Sequence, residues 1–232
     1  MPIYRLTAEL TFPHPSLAED GILAIGGDLS PERLILAYTN GIFPWYSEGE
    51  PIIWHAPNPR FVLNPKNLKI SKSMKQVIQK NIFEVSLNQD FEQVIRNCQE
   101  VSRLGQKDTW ITKEMLEAYH RLHDLGLAHS VEVWQDQELV GGLYGINLGT
   151  VFFGESMFHK KSNASKFAFI HLIEAFPFSM IDCQVYTKHL ASLGASNLAL
   201  SSFISLLDKE SQKKNLLSRE SNFAKRDYSS KE

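Results

Sequence analysis

His129-Ser130-Val131-Glu132-Val133-Trp134-Gln135-Asp136-Gln137-Glu138-Leu139-Val140-Gly141-Gly142-Leu143-Tyr144 is the stretch on which the fold turns. β-Branched and aromatic residues flank a short polar turn, so the segment reads as a β-hairpin. Thr150-Val151-Phe152-Phe153 continues the same sheet. Beyond it, Ser162 or Asn163 is placed to cap a helix over 164–176 that is apolar nearly all round and therefore buried. Residues 180–186 read as a further strand. Gly141, Gly142 and Gly145 fall within the strand pair, where a missing Cβ permits close backbone approach.

Upstream of this region the signals are helical. Ser30 caps and Pro31 opens a helix over 32–40, which Gly41 stops. Residues 68–80 place Ile70, Met74, Val77 and Ile78 on one helical face and Lys69, Lys72, Lys75 and Lys80 on roughly the opposite one. Helices over 91–101, capped by Asp90, and 113–125, capped by Thr112 and stopped by Gly126, follow. Pro57, Pro59 and Pro65 set a boundary near Arg60. The reading is therefore α+β: a small N-terminal α/β domain over 1–60 and a larger domain over 61–232. From about 208 the chain turns polar, and a loosely ordered tail is expected.

A chain of 232 residues, 43% hydrophobic and 22% charged with a net charge of −2, has an ordinary globular balance. Any basic surface must be local. No apolar signal region opens the chain and no apolar run reaches the length of a membrane span, so a cytoplasmic location is expected. Two isolated cysteines fit a reducing compartment. His120 and His123, three apart on a helix, read as solvated surface, and neither metal spacing nor a phosphate-binding glycine loop is present.

In Ile181-Asp182-Cys183-Gln184-Val185 strand alternation puts Asp182 and Gln184 on one face and Cys183 on the other with its apolar neighbours. The plain alternative is a strand edge with two solvated polar residues. A cysteine nucleophile served by His189 is disfavoured, because a thiol among apolar side chains stays protonated. Glu155, set among Phe152, Phe153, Met157 and Phe158, needs a partner if buried, whether a substrate or a structural one. From Arg60 to Phe83 there are six basic residues and no acidic one, and aromatic Trp45, Tyr46 and Trp54 lie upstream. Phosphate contacts and base stacking call for that combination.

Taken in order, the motifs resemble the bacterial leucyl/phenylalanyl-tRNA–protein transferases. They are the stretch from Gly21 to Leu34, Gly41-Ile42-Phe43-Pro44-Trp45-Tyr46, Pro57-Asn58-Pro59-Arg60, Thr109-Trp110-Ile111-Thr112, the stretch from Ala118 to His123, the hairpin itself, Gly154-Glu155-Ser156-Met157-Phe158, Asn163-Ala164-Ser165-Lys166, Ile181-Asp182-Cys183-Gln184 and Ala191-Ser192-Leu193-Gly194-Ala195. The resemblance implies a larger domain similar to the GNAT acyltransferase fold, acting without metal or dissociable cofactor. The implied donors are Leu-tRNA and Phe-tRNA, with Met a poorer donor. The implied acceptors are proteins beginning with Arg or Lys, marked in this way for N-degron proteolysis by an enzyme expected to be a monomer.

On that reading Gln184 accepts a hydrogen bond from the attacking amine, Asp182 holds the Gln184 amide, and Glu155 faces the acceptor or the ribose. Leu143, Phe152, Met157 and Ile181 line the donor side-chain pocket. Tyr38, Trp45 and Trp110 contact the terminal adenosine, and Arg60, Lys72, Lys75 and Lys80 meet tRNA phosphates. A CoA-dependent GNAT acetyltransferase and a catalytically silent tRNA-binding module are the alternatives.

Overall fold

The structure, a computed structural model, describes residues 3–100 and 111–213. The N-terminal part comprises β1 (Tyr4–Leu6), β2 (Ile22–Gly26), α1 (Pro31–Thr39), β3 (Phe43–Pro44) and β4 (Ile53–His55). Its four strands form a sheet in the order β1-β2-β4-β3, with β1 parallel to β2. The Ser30 hydroxyl accepts from Arg33 N–H at 3.4 Å, and Pro31 opens α1. Gly41, at φ +74°, lets the chain leave the helix in a left-handed turn.

The rest contains β5 (Arg60–Leu63), α2 (Lys72–Gln79), β6 (Glu84–Leu87), α3 (Phe91–Glu100), α4 (Lys113–Asp124), β7 (Ala128–Gln135), β8 (Glu138–Leu148), β9 (Val151–His159), α5 (Ala164–Ala175), β10 (Met180–Asp182), α6 (Lys188–Ser192), β11 (Ser196–Leu198) and α7 (Leu200–Lys213). A seven-stranded sheet runs in the order β11-β5-β10-β9-β8-β7-β6. Within it β9 and β10 are parallel and every other pair is antiparallel. The β7–β8 turn uses Asp136 at φ +53° and Gln137 at φ +64°. Two successive left-handed residues give the turn whose twist matches a hairpin.

The large sheet is covered on both faces. One face packs α5 and α2, through Phe167, Phe169, Ile170 and Met74. The other packs α1, α3, α4 and α7, through Leu34, Val94, Met115 and Phe203. An α+β fold results, and β7 and β8 run longer than the hairpin signal because both faces are buried. Buried residues surround α5, as its composition requires, but Asn163 at its start sits at φ +72° and makes no side-chain cap. His120 and His123 are half-buried rather than solvated, with the His123 ring stacked 4.2 Å from that of Phe91. α7 extends the ordered chain through the start of the polar tail; residues 214–232 lie outside the described region. Among the described residues no helix is long and apolar enough to cross a membrane.

Candidate active site

β10 ends at Asp182, four residues short of the strand expected over 180–186. Gln184 takes φ +61°, a left-handed conformation uncommon for a residue with a side chain. Its N–H is held by the Asp182 Oδ1 at 2.9 Å. The backbone passes to β5, with Cys183 N–H on Phe61 O at 2.9 Å. Asp182 and Gln184 therefore do not share a face by strand alternation. Cys183 does join the core, and burial pushes its thiol far above the ordinary range, so it is no nucleophile.

Asp182 has a different partner from the one expected. Arg60 on β5 grips it with two hydrogen bonds, Nε to Oδ1 at 2.8 Å and Nη2 to Oδ2 at 2.6 Å, and both side chains are fully buried. The guanidinium lies 4.5 Å from the Phe43 ring centre and 4.9 Å from that of Phe203. Arg60 thus has no surface from which to meet a tRNA phosphate, and its placement among phosphate contacts is corrected. A basic residue flanked by prolines gives no hint of a buried carboxylate 122 positions away in the chain.

The Gln184 amide is held by Glu155, not by Asp182: Nε2 donates to Glu155 Oε1 at 2.9 Å. Glu155 occupies a β-bulge. Tyr144 pairs with Ser156 and Gly145 with Gly154, leaving Glu155 as the extra residue on β9. A bulge re-aims its side chain. Gly145 is what allows it, because a Cβ there would stand 2.2 Å from Phe153 O.

Two buried tyrosines complete the setting. Tyr38 Oη donates to Glu155 Oε1 and Tyr119 Oη to Oε2, each at 2.8 Å, and the two phenol oxygens lie 2.5 Å apart. Three oxygen contacts close this ring, yet an ionised Glu155 leaves only the two phenol protons to fill them. A third proton, on Glu155, completes the ring once one carboxyl oxygen donates to its phenol and that phenol donates its own proton to the other, so that only one phenol still donates to Glu155. Burial, opposed by the two phenol hydrogen bonds, raises the Glu155 carboxyl to about 7. Burial also raises both phenols well above their usual range.

The folded carboxyl keeps its proton up to about 7, whereas the unfolded one releases it near 4.5. Between those values the folded state binds more protons, so raising the pH destabilises it. Relative to Glu155→Gln, wild-type unfolding free energy is expected to fall by about 3 kcal/mol as pH rises through that window. Urea titrations of both proteins at several pH values check this, and parallel pH profiles would remove the buried titration.

Glu155 and Gln184 open on a cavity of about 410 Å³. Leu143, Phe152, Met157 and Ile181 all line it, with Phe169 of α5 and Trp45 of the N-terminal part. Asp182 is on its wall but fully buried. Tyr38 is fully buried behind Glu155 and cannot stack on a nucleoside, which corrects its expected role. Trp110 lies outside the described residues. Lys72 and Lys75 on α2 and Lys80 at its C-terminal cap are exposed, and Met74 of α2 is buried against the sheet. Tyr119 was missed: on α4 its spacing with Met115 and Leu122 marks only an apolar face. Among the described residues, no group of His, Cys, Asp and Glu could hold a metal ion.

The family model described as leucyl/phenylalanyl-tRNA protein transferase matches residues 62–208, and that of its N-terminal domain matches 27–58. A leucyl/phenylalanyl-tRNA–protein transferase of Syntrophus aciditrophicus (strain SB) is 56% identical over 213 residues, covering 90% of this chain and 89% of its own. One from Flavobacterium johnsoniae (strain UW101) is 57% identical over 209 residues, covering 88% and 99%. Among solved structures, a GCN5-related N-acetyltransferase from Kribbella flavida is similar at 10% identity and TM-score 0.36, over 73% of this chain and 61% of that one.

Proposed function

The chain belongs to the leucyl/phenylalanyl-tRNA–protein transferase family, and from that premise we propose that it moves leucine or phenylalanine from aminoacyl-tRNA to the α-amine of proteins beginning with Arg or Lys. Methionine is the poorer donor, no metal or dissociable cofactor takes part, and the product is a substrate for N-degron proteolysis in the cytoplasm. The small N-terminal domain, which ends before β5 begins at Arg60, brings Trp45 to the site, and the larger domain that follows is the catalytic one.

The observation that carries this reading is the Glu155–Gln184 hydrogen bond on the wall of an apolar cavity. With Nε2 committed to Glu155, the remaining polar atom of Gln184 is its carbonyl oxygen, an acceptor. The donor ester is already activated, and an α-amine near 7.7–8.0 is partly neutral at pH 7. Little base strength is required. The Gln184 oxygen accepts from the amine and orients its lone pair on the ester carbonyl. The C–N bond forms, the bond to the ribose oxygen breaks, and the proton leaving the amine ends on that oxygen.

Leu143, Phe152, Met157 and Ile181 receive the donor side chain and resist β-branching. Discrimination at the level of a methyl group is worth about 1–3 kcal/mol, so leakage to other apolar donors is expected. Incubation with radiolabelled Leu-tRNA or Phe-tRNA and an Arg-initiated protein tests the function: label must appear in the protein, and its absence refutes the reading.

Lys72, Lys75 and Lys80 are assigned to tRNA phosphates. Changing any one to Ala is expected to lower the slope of log affinity against log salt by about 0.7–0.9. Filter binding of charged tRNA across a salt series measures it, and slopes equal to wild type would remove α2 from the interface.

A further inference from the structure

β9 and β10 run side by side for three residue pairs, Val151 with Met180, Phe152 with Ile181 and Phe153 with Asp182. β10 then turns away towards β5. β9 continues to His159 with β8 as its sole strand partner among the described residues. Every residue of that extension, from Gly154 through His159, lines the cavity. Side chains on a strand alternate between faces, so a cavity against one face meets every second residue. An unbroken run means that the cavity meets the edge of β9, backbone included.

The polarity of that edge follows from the ladder. Lys160 N–H donates to Val140 O on the β8 side at 2.7 Å. Antiparallel alternation turns Phe158 the same way and leaves the amides and carbonyls of Met157 and His159 facing the open edge. Unpaired strand edges recruit extended chains with matching donors and acceptors. On the transfer reading, on which this inference rests, the donor brings an ester and a nucleotide, and only the acceptor brings a polypeptide.

We propose that the first residues of the acceptor add to β9 as a short parallel strand in the place that β10 vacates. The α-amine sits at the Glu155–Gln184 end, and the chain leads out past His159, which is exposed. A residue opposite Phe158 gives its N–H to Met157 O and takes His159 N–H on its carbonyl. About five residues, at about 3.3 Å each, span the run from Glu155 to His159. His189 supports the placement from another wall: its Nε2 is buried in the same cavity without a hydrogen-bond partner among the described residues. Main-chain pairing reads no side chain, which suits acceptors that share only their first residue.

The test uses wild-type enzyme and Arg-initiated peptides carrying one N-methyl group at the amide of residue 2, 3 or 4. Alternation predicts that methylation at alternate amides raises acceptor KM about tenfold, while methylation of the ones between changes it less than about twofold. The KM for Phe-tRNA stays constant. Ester replacement of the same N–H groups should repeat the pattern without added bulk. Equal responses at all positions, or none, overturn the strand proposal while leaving transfer itself intact. Absence of transfer to the unmodified peptide refutes the function and the strand proposal with it.

Discussion

Replacing Asp182 by Asn is expected to destabilise the protein by about 3–5 kcal/mol, a large share of the roughly 5–15 kcal/mol that holds a typical domain folded. The reason is Arg60. Its guanidinium is fully buried, hydrogen-bonded twice to Asp182 and in contact with the rings of Phe43 and Phe203. Asn removes the countercharge and leaves a cation with no water to receive it. The same change weakens the acceptor that holds Gln184 N–H in its left-handed conformation. Lost activity in this variant is therefore expected to track unfolding and misplacement of Gln184 together. Urea denaturation measures the first directly. A variant as stable as wild type would mean that the ion pair contributes nothing. The double change Asp182→Leu with Arg60→Met separates the effects: removing both charges restores stability, since the desolvation penalty goes with them, but leaves the Gln184 N–H without its carboxylate acceptor.

Gln184→Ala is expected to lower kcat about 100-fold while tRNA affinity stays within about twofold. The variant loses the amide oxygen assigned to the amine, and Glu155 loses a donor at 2.9 Å. Gln184 already bears the left-handed strain, so the change costs little beyond one lost hydrogen bond, about 0.5–1.5 kcal/mol, too little to unfold the chain. Single-turnover transfer from Phe-tRNA, with tRNA binding measured in parallel, reads the split. Full activity would end the assignment of Gln184. Gln184→Glu is the sharper control. Two carboxyl groups at that separation cannot both ionise, so they must share a proton near neutral pH. Transfer by this variant is expected to fall as pH rises through neutrality, the direction opposite to that set by deprotonation of the acceptor amine.

Much of the fold was legible from local pattern. α1 was marked by Ser30, Pro31 and Gly41, and α4 by Thr112 and Gly126, because caps and stops act through nearby atoms. The hairpin of β7 and β8 was legible for the same reason. The lining of the candidate site was legible, but its wiring was not. Glu155, Asp182 and Gln184 were singled out, and Leu143, Phe152, Met157 and Ile181 line one cavity. Which side chain holds which was misread. Alternation pairs Asp182 with Gln184 only along a continuing strand, and β10 ends at Asp182. Arg60 and Tyr38 read as ligand-facing because charge and aromaticity on a sequence suggest surface, and neither reveals a buried partner.

By itself, then, the amino-acid sequence determined the helices α1 to α5, the β7–β8 hairpin, the buried character of α5, the burial of Cys183 and the family. These depend on periodicity, capping and ordered motifs, all written within a few neighbouring residues. Only the tertiary structure decided that Glu155 sits in a bulge between two tyrosines, that it clamps the Gln184 amide, and that Asp182 belongs to Arg60. Those contacts join residues 29 to 122 positions apart. Their energies arise from burial, where an unpartnered charge is intolerable, and burial is a property of the assembled core rather than of any segment.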